Sequence, residues 1–153
     1  MTNLKEKDII RYVVNNWDRF FPEIDFYKTE FSFRDFRVDI AAKLDMSFED
    51  LGQPAKPWGL QAPIFFEVKY NSEMRDLLFE LQKQISFRNW YINVAKSYCM
   101  VCVISDKFDG HMVKYMMDND IPMFKINIEN DNLENMTIVE YKPNYRGEVE
   151  KYE

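Results

Sequence analysis

Histidine and cysteine are scarce in this chain, with one His and two Cys in 153 residues. A structural zinc centre needs four nitrogen or sulfur ligands, more than the chain holds. The cysteines, Cys99 and Cys102, form a C-x-x-C pair inside the apolar run SYCMVCVIS. Residues three apart in a strand point to opposite faces, so the pair does not converge and both read as small buried hydrophobes. Four glycines and six prolines leave little room for a low-complexity linker. No apolar run approaches the ~20 residues of a membrane span, and the opening MTNLKEKDII lacks a signal-peptide pattern. The expectation is a cytoplasmic protein without a membrane partner. Basic charge is short as well: 20 Lys and Arg stand against 26 Asp and Glu, a net charge of −6. Proteins that coat nucleic acid normally carry a basic excess. Any nucleic-acid contact must therefore be local, or must involve divalent ions that offset part of the negative charge.

What the chain has in quantity is apolar and aromatic residues, 46% and 16%. At this length that suffices for a folded core without disulfide or metal staples. One domain over residues 1–153 is expected, with a core over about residues 4–128 and a C-terminal strand and polar tail over 129–153. The stretch at its centre is PIFFEVKY, Pro63 to Tyr70. As a strand it points Ile64, Phe66 and Val68 one way and Phe65, Glu67 and Lys69 the other. A carboxylate and an ammonium on one face of an apolar strand are costly to bury unless each finds a partner or a metal.

The remaining elements follow in order. Leu4 to Trp17 predicts an amphipathic helix with Ile10, Val13, Val14 and Trp17 inward. Asn3 suits its cap, and Glu6 and Asp8 suit its positive end. After Pro22, Phe26–Phe33 and Phe36–Ala42 predict two strands turned at Arg34-Asp35. In the second, Phe36, Val38 and Ile40 share one side, and Arg37, Asp39 and Ala41 the other. Met46 to Ala62 predicts a long loop, rich in Pro and Gly. Asn71-Ser72 then caps a helix from about Glu73 to Ala95, with Leu78, Leu81, Ile85 and Ile92 inward and Gln82 and Gln84 flanking. SYCMVCVIS suits a central strand covered on both faces. A short helix over Gly110–Asp118, a strand over Pro122–Ile128, a turn at Asn130–Asn132 and an edge strand in MTIVEYK complete the order. The sum is an α/β fold, a mixed sheet with helices on both faces.

An acidic-x-Lys triplet means little alone, because random placement of 26 acidic residues and 13 lysines yields about two. The chain has two, Glu67-Val68-Lys69 and Glu140-Tyr141-Lys142. Only the first follows a strand-borne aspartate, Asp39, and precedes a capped helix. Asp39 and Glu67 on adjacent strands can meet at one divalent cation, a hard ion that takes oxygen ligands, with the Val68 carbonyl as a third. Lys69 is then placed to hold a water or to stabilise charge on a phosphorus centre. The competing reading is an ordinary ion pair between Glu67 and Lys69 on a partly solvated face.

With RVDI, then FEVKY, then a helix carrying LQKQI, the chain resembles the PD-(D/E)XK nuclease superfamily over roughly Leu4 to Ile128. The resemblance implies a restriction-endonuclease-like α-β-β-β-α-β core, here with an extra helix and C-terminal strands. It implies a Mg²⁺- or Mn²⁺-dependent endonuclease acting on DNA in preference to RNA, with Asp39 and Glu67 as metal ligands and Lys69 as their catalytic companion. Glu6 matches the acidic residue that many members carry on the first helix. Gln84 matches the helix glutamine of some branches, with Gln82 as its rival. The residue before Asp39 is Val38 where proline is common, and Arg88 stands where the exonuclease branch has tyrosine. Small nucleases of this type often dimerise, which makes a homodimer an implied partner. Arg37, Lys43, Arg75, Lys83 and Arg88 are candidates for a phosphate track, against the plainer reading of solvated charges. Trp58 and Trp90 are candidates for stacking on bases, and His111 for an exposed or capping residue. The alternative function is an idle nuclease-like fold used as a protein- or nucleic-acid-binding module, in phage–host conflict or as a complex subunit.

Overall fold

A computed structural model describes residues 4–46, 60–72, 77–96 and 98–143. The hairpin of β1 (Asp25–Phe33) and β2 (Phe36–Met46) turns at Arg34-Asp35, where Arg34 takes φ 58°. β2 pairs antiparallel with β3 (Leu60–Lys69), and β3 lies parallel to β4 (Met100–Ser105). β4 lies parallel to β5 (Met123–Asn127), which pairs antiparallel with β6 (Thr137–Tyr141). The six strands stand side by side in chain order. This is an α/β protein with a mixed sheet.

Helices cover both faces. On one side α1 (Glu6–Asn15) and the short α2 (Trp17–Phe20) bring Ile9, Val13 and Trp17 onto Ile40, Ile64, Phe66, Val68 and Ile104. On the other, α3 (Leu78–Ala95) and α4 (Gly110–Asp118) bring Leu81, Met112, Val113 and Met116 onto Phe36, Phe65, Val101 and Val103. β4 is covered on both faces, as its unbroken apolar run predicts. Cys99 and Cys102 are free, buried and in opposite layers. Burial pushes the Cys99 thiol up to about 12 and that of Cys102 up as well.

Several expectations need correction. The first helix ends at Asn15, because Asn16 leaves helical geometry and its side-chain amide donates to the Tyr12 carbonyl at 2.9 Å. Ile9 rather than Ile10 joins Val13 as fully buried, while Ile10 and Val14 pack at the layer's margin. Leu60 to Ala62 are strand rather than loop, because the β2–β3 ladder runs on to Met46↔Leu60. The buried stripe of α3 is Leu81 and Gln84, with Ile85 at its edge. Leu78 and Ile92 are exposed. Val38 and Ile40 do not share a side: Val38 packs under α3 and Ile40 under α1. The expected cap Asn3, Trp58, Arg75 and the start of the helix at Glu73 lie outside the described residues, as does most of the Met46–Ala62 stretch.

Phe66, wholly buried, meets the rings of Phe21 at 4.9 Å, Trp17 at 5.8 Å and Phe124 at 6.0 Å. Phe66→Ala is expected to lower the unfolding free energy by about 3–5 kcal/mol in urea titration. Met100→Ala, at the exposed start of β4, should change it by less than about 1 kcal/mol.

Candidate active site

The change of side between Val38 and Ile40 marks the place where two strands part. The β2–β3 ladder begins at Ile40↔Phe66. Just ahead of it the Val68 N–H donates to Asp39 Oδ2 at 2.7 Å. A carboxylate thus takes the place of a main-chain acceptor. Across the hairpin, between the pairs Thr29↔Ile40 and Phe31↔Val38, Glu30 takes φ 52°. That conformation is uncommon for a residue with a side chain, and such departures cluster at functional sites.

Glu67 lies on the face of β3 that turns toward α3 and is only 8% exposed. Gln84, fully buried one helix away, donates from Nε2 to Glu67 Oε2 at 2.5 Å and to the Arg37 carbonyl at 3.0 Å. These two acceptors fix which end of the amide is which. They leave Gln84 Oε1 buried and, among the described residues, without a partner. Gln82 is exposed, so Gln84 is the glutamine that reaches Glu67. Burial, and then Asp39 beside it as hydrogen-bond partner and like charge, push the Glu67 carboxyl up to about 9. Gln84 and Lys69 pull it only partly back.

Lys69 is half-buried and faces the same cleft as Asp39 and Glu67, without an ion pair among the described residues. The other triplet behaves differently: Lys142 and Glu140, both more than half exposed, pair at 3.6 Å. The ordinary ion-pair reading therefore fits Glu140 and Lys142 and not Glu67 and Lys69. Glu6 is brought to the site as well. Its Oε1 accepts from Ser72 Oγ at 2.9 Å and from the Tyr70 N–H at 3.3 Å, tying α1 to the end of β3.

The cleft measures about 530 Å³, and Glu30 and Glu80 also line it. Sequence reasoning missed both, although each had a signal. A turn centred on Arg34-Asp35 sets residue 30 opposite residue 39, and Glu80 stands one helical turn before Gln84. Five carboxylates against Arg37 and Lys69 make the cleft strongly acidic.

Among the described residues no group of three or more His, Cys, Asp or Glu is arranged to hold a metal ion. The donor set is the pair Asp39 and Glu67, with the main chain of Val68 alongside. Two hard carboxylates suit an ion such as Mg²⁺ that keeps several waters, and do not suit structural zinc. Two carboxyls lie side by side here, one of them buried, and a divalent cation would offset their like charge.

The remaining candidates are dispersed. Arg37 lines the cleft, while Lys43 lies six residues along β2, on a separate apolar groove with Tyr27 and Pro63. Lys83 sits over the Phe79 ring at 4.6 Å. Arg88 donates from Nη1 to the Asn119 carbonyl at 2.5 Å, a contact that ties α3 to the end of α4. His111 is exposed in the first turn of α4. Four of the five cations proposed as a phosphate track, Arg37, Lys43, Lys83 and Arg88, thus stand at separate places, and Arg75 lies outside the described residues.

Comparison with protein-family models, with curated proteins and with solved structures finds no match. No helix among the described residues is long and apolar enough to cross a membrane.

The buried carboxyl predicts a pH dependence. Folded Glu67 holds its proton up to about 9, against 4.5 for the ordinary group. Its contribution to stability is therefore complete below the lower value and lost as pH rises through the upper one. Thermal melts without divalent ions should fall across that window in the wild type, and Glu67→Gln should flatten the slope. Mg²⁺ should raise the melting temperature more at alkaline than at mildly acidic pH, since the ion competes with the proton. A slope unchanged by Glu67→Gln would count against the assignment.

Proposed function

We propose that this chain is a metal-dependent nuclease with a restriction-endonuclease-like core, hydrolysing phosphodiester bonds of nucleic acid, DNA in preference to RNA. One observation carries the reading. Asp39 and Glu67 meet in an open cleft, Glu67 buried and its carboxyl pushed up by that burial and by Asp39 beside it, next to a lysine that forms no ion pair with either among the described residues. A pair kept for stability alone would be neutralised, or replaced by apolar residues at little cost.

A bound Mg²⁺ or Mn²⁺, held by Asp39 and Glu67 with the Val68 carbonyl, would supply charge neutralisation and Lewis acidity toward the phosphate. The chain's own residues do the rest. Gln84 holds Glu67 in one rotamer. The Val68 N–H holds Asp39, so the two carboxylates are oriented before substrate arrives. The Lys69 ammonium offers a donor to the attacking water and to the charge that develops at phosphorus. Hydrolysis joins the water oxygen to phosphorus and breaks one ester P–O bond, the leaving oxygen taking up a proton. Glu6 fixes α1 against the end of β3 at the cleft's edge. A homodimer would present two such clefts to two strands, and a cytoplasmic setting fits both the substrate and the free thiols.

The acidity of the cleft favours a second reading, a binding module that takes a basic partner. The two are separated by a cleavage panel of single-stranded, duplex and branched DNA plus RNA, with Mg²⁺ or Mn²⁺. Wild type should cut, and Asp39→Ala and Lys69→Ala should each lower the rate by at least about 100-fold while circular dichroism stays native. Absence of cutting by the wild type, with no divalent-ion binding in calorimetry, would transfer the assignment to the binding module.

A further inference from the structure

Beside the acidic cleft lies a second hollow of opposite character. It measures about 250 Å³ and is formed where the β1–β2 turn meets α3. Phe33 and Trp90, 41% and 44% exposed, stand in it nearly parallel, their centroids 6.0 Å apart at 24°. Beneath them Phe36 and Phe87 stack at 4.1 Å and 14°. The Arg34 guanidinium lies 5.4 Å from the Phe33 centroid. Lys83, whose ammonium sits over Phe79, lines the same hollow. One carboxylate, Asp35, faces these two cations, and neither cation has a salt bridge among the described residues.

We propose that this hollow is a stacking platform for single-stranded nucleic acid, which it feeds into the cleft. The proposal deepens the nuclease reading and rests on it for the strand's destination. Continuity is the first support. Ser32, Arg37 and Glu80 line the cleft, while their neighbours Phe33, Phe36 and Lys83 line the platform. Charge is the second. In a chain of net charge −6, cations placed among partly exposed rings match a polyanion whose bases are free to stack. A duplex hides those faces, so the preferred substrate is a single strand or a frayed or branched end.

The test is fluorescence anisotropy with labelled oligothymidylate, oligouridylate and a duplex, in EDTA so that binding is read without cleavage. Wild type should bind the single strands more tightly than the duplex. Trp90→Ala should weaken single-strand binding at least about fivefold, the low end for one stacked base, and Trp90→Phe should restore most of it. Lys83→Ala, on the helix surface, should weaken binding and reduce its salt dependence. Equal binding by wild type and both alanine variants would overturn the proposal, as would failure of the wild type to bind any single strand. Trp90-dependent binding without cleavage in Mg²⁺ or Mn²⁺ would retain the platform and remove the nuclease. Cleavage with Trp90-independent binding would do the reverse.

Discussion

The contact between Gln84 Nε2 and Glu67 Oε2 is the constraint on which the site depends. A buried carboxyl needs a donor, and neither same-face neighbour on β3 donates a hydrogen bond to it among the described residues: Phe65 is a ring, and Lys69 lines the cleft without an ion pair. The donor must come from the helix above, and Gln84 supplies it while also holding the Arg37 carbonyl. Replacing the amide by an apolar group would leave the carboxyl and the carbonyl unsatisfied, each at a cost of about 1–3 kcal/mol. One side chain therefore sets the height of α3 over the sheet, the rotamer of Glu67 and the path of β2 ahead of Asp39.

That path explains the sheet's irregularity. A regular ladder would have continued from Ile40↔Phe66 to the next residues of both strands. Instead Asp39 accepts the Val68 N–H, Glu30 adopts a left-handed conformation opposite it, and Val38 and Ile40 fall into different core layers. Four residues thus depart from strand geometry or alternation at one level of the sheet. The departure opens the cleft. An unbroken ladder would have closed it with paired backbone.

Much of this was legible in advance because it depends on period and composition. PIFFEVKY alternates as a strand must, the β4 run is apolar on both sides, and Gly110–Asp118 has its helix bounds as expected. Asp39, Glu67 and Lys69 were legible because charged residues inside apolar strands are costly, so their positions stand out. What escaped was set by tertiary contact. The stripe of α3 includes a buried glutamine, which no hydrophobic periodicity would select, so the phase settled on Leu78 and Ile92. Alternation along β2 assumed a regular pleat and gave Val38 and Ile40 one side. Arg88 looked like a free cation because the α4 carbonyl it serves lies 31 residues away in sequence.

The distribution of charge is what unites cleft and platform. An acidic cleft repels phosphate, at several kT where low-dielectric walls focus the field, so on the proposed nuclease reading it would accept a phosphodiester only after a cation has entered. The neighbouring rings and cations have no such requirement and can engage a strand first. Affinity and chemistry would then reside in separate places, the platform holding the strand and the carboxylates acting only when metal is present. An overall basic surface would be superfluous to that division. A chain of net charge −6 is thus compatible with the polyanionic substrate proposed for it.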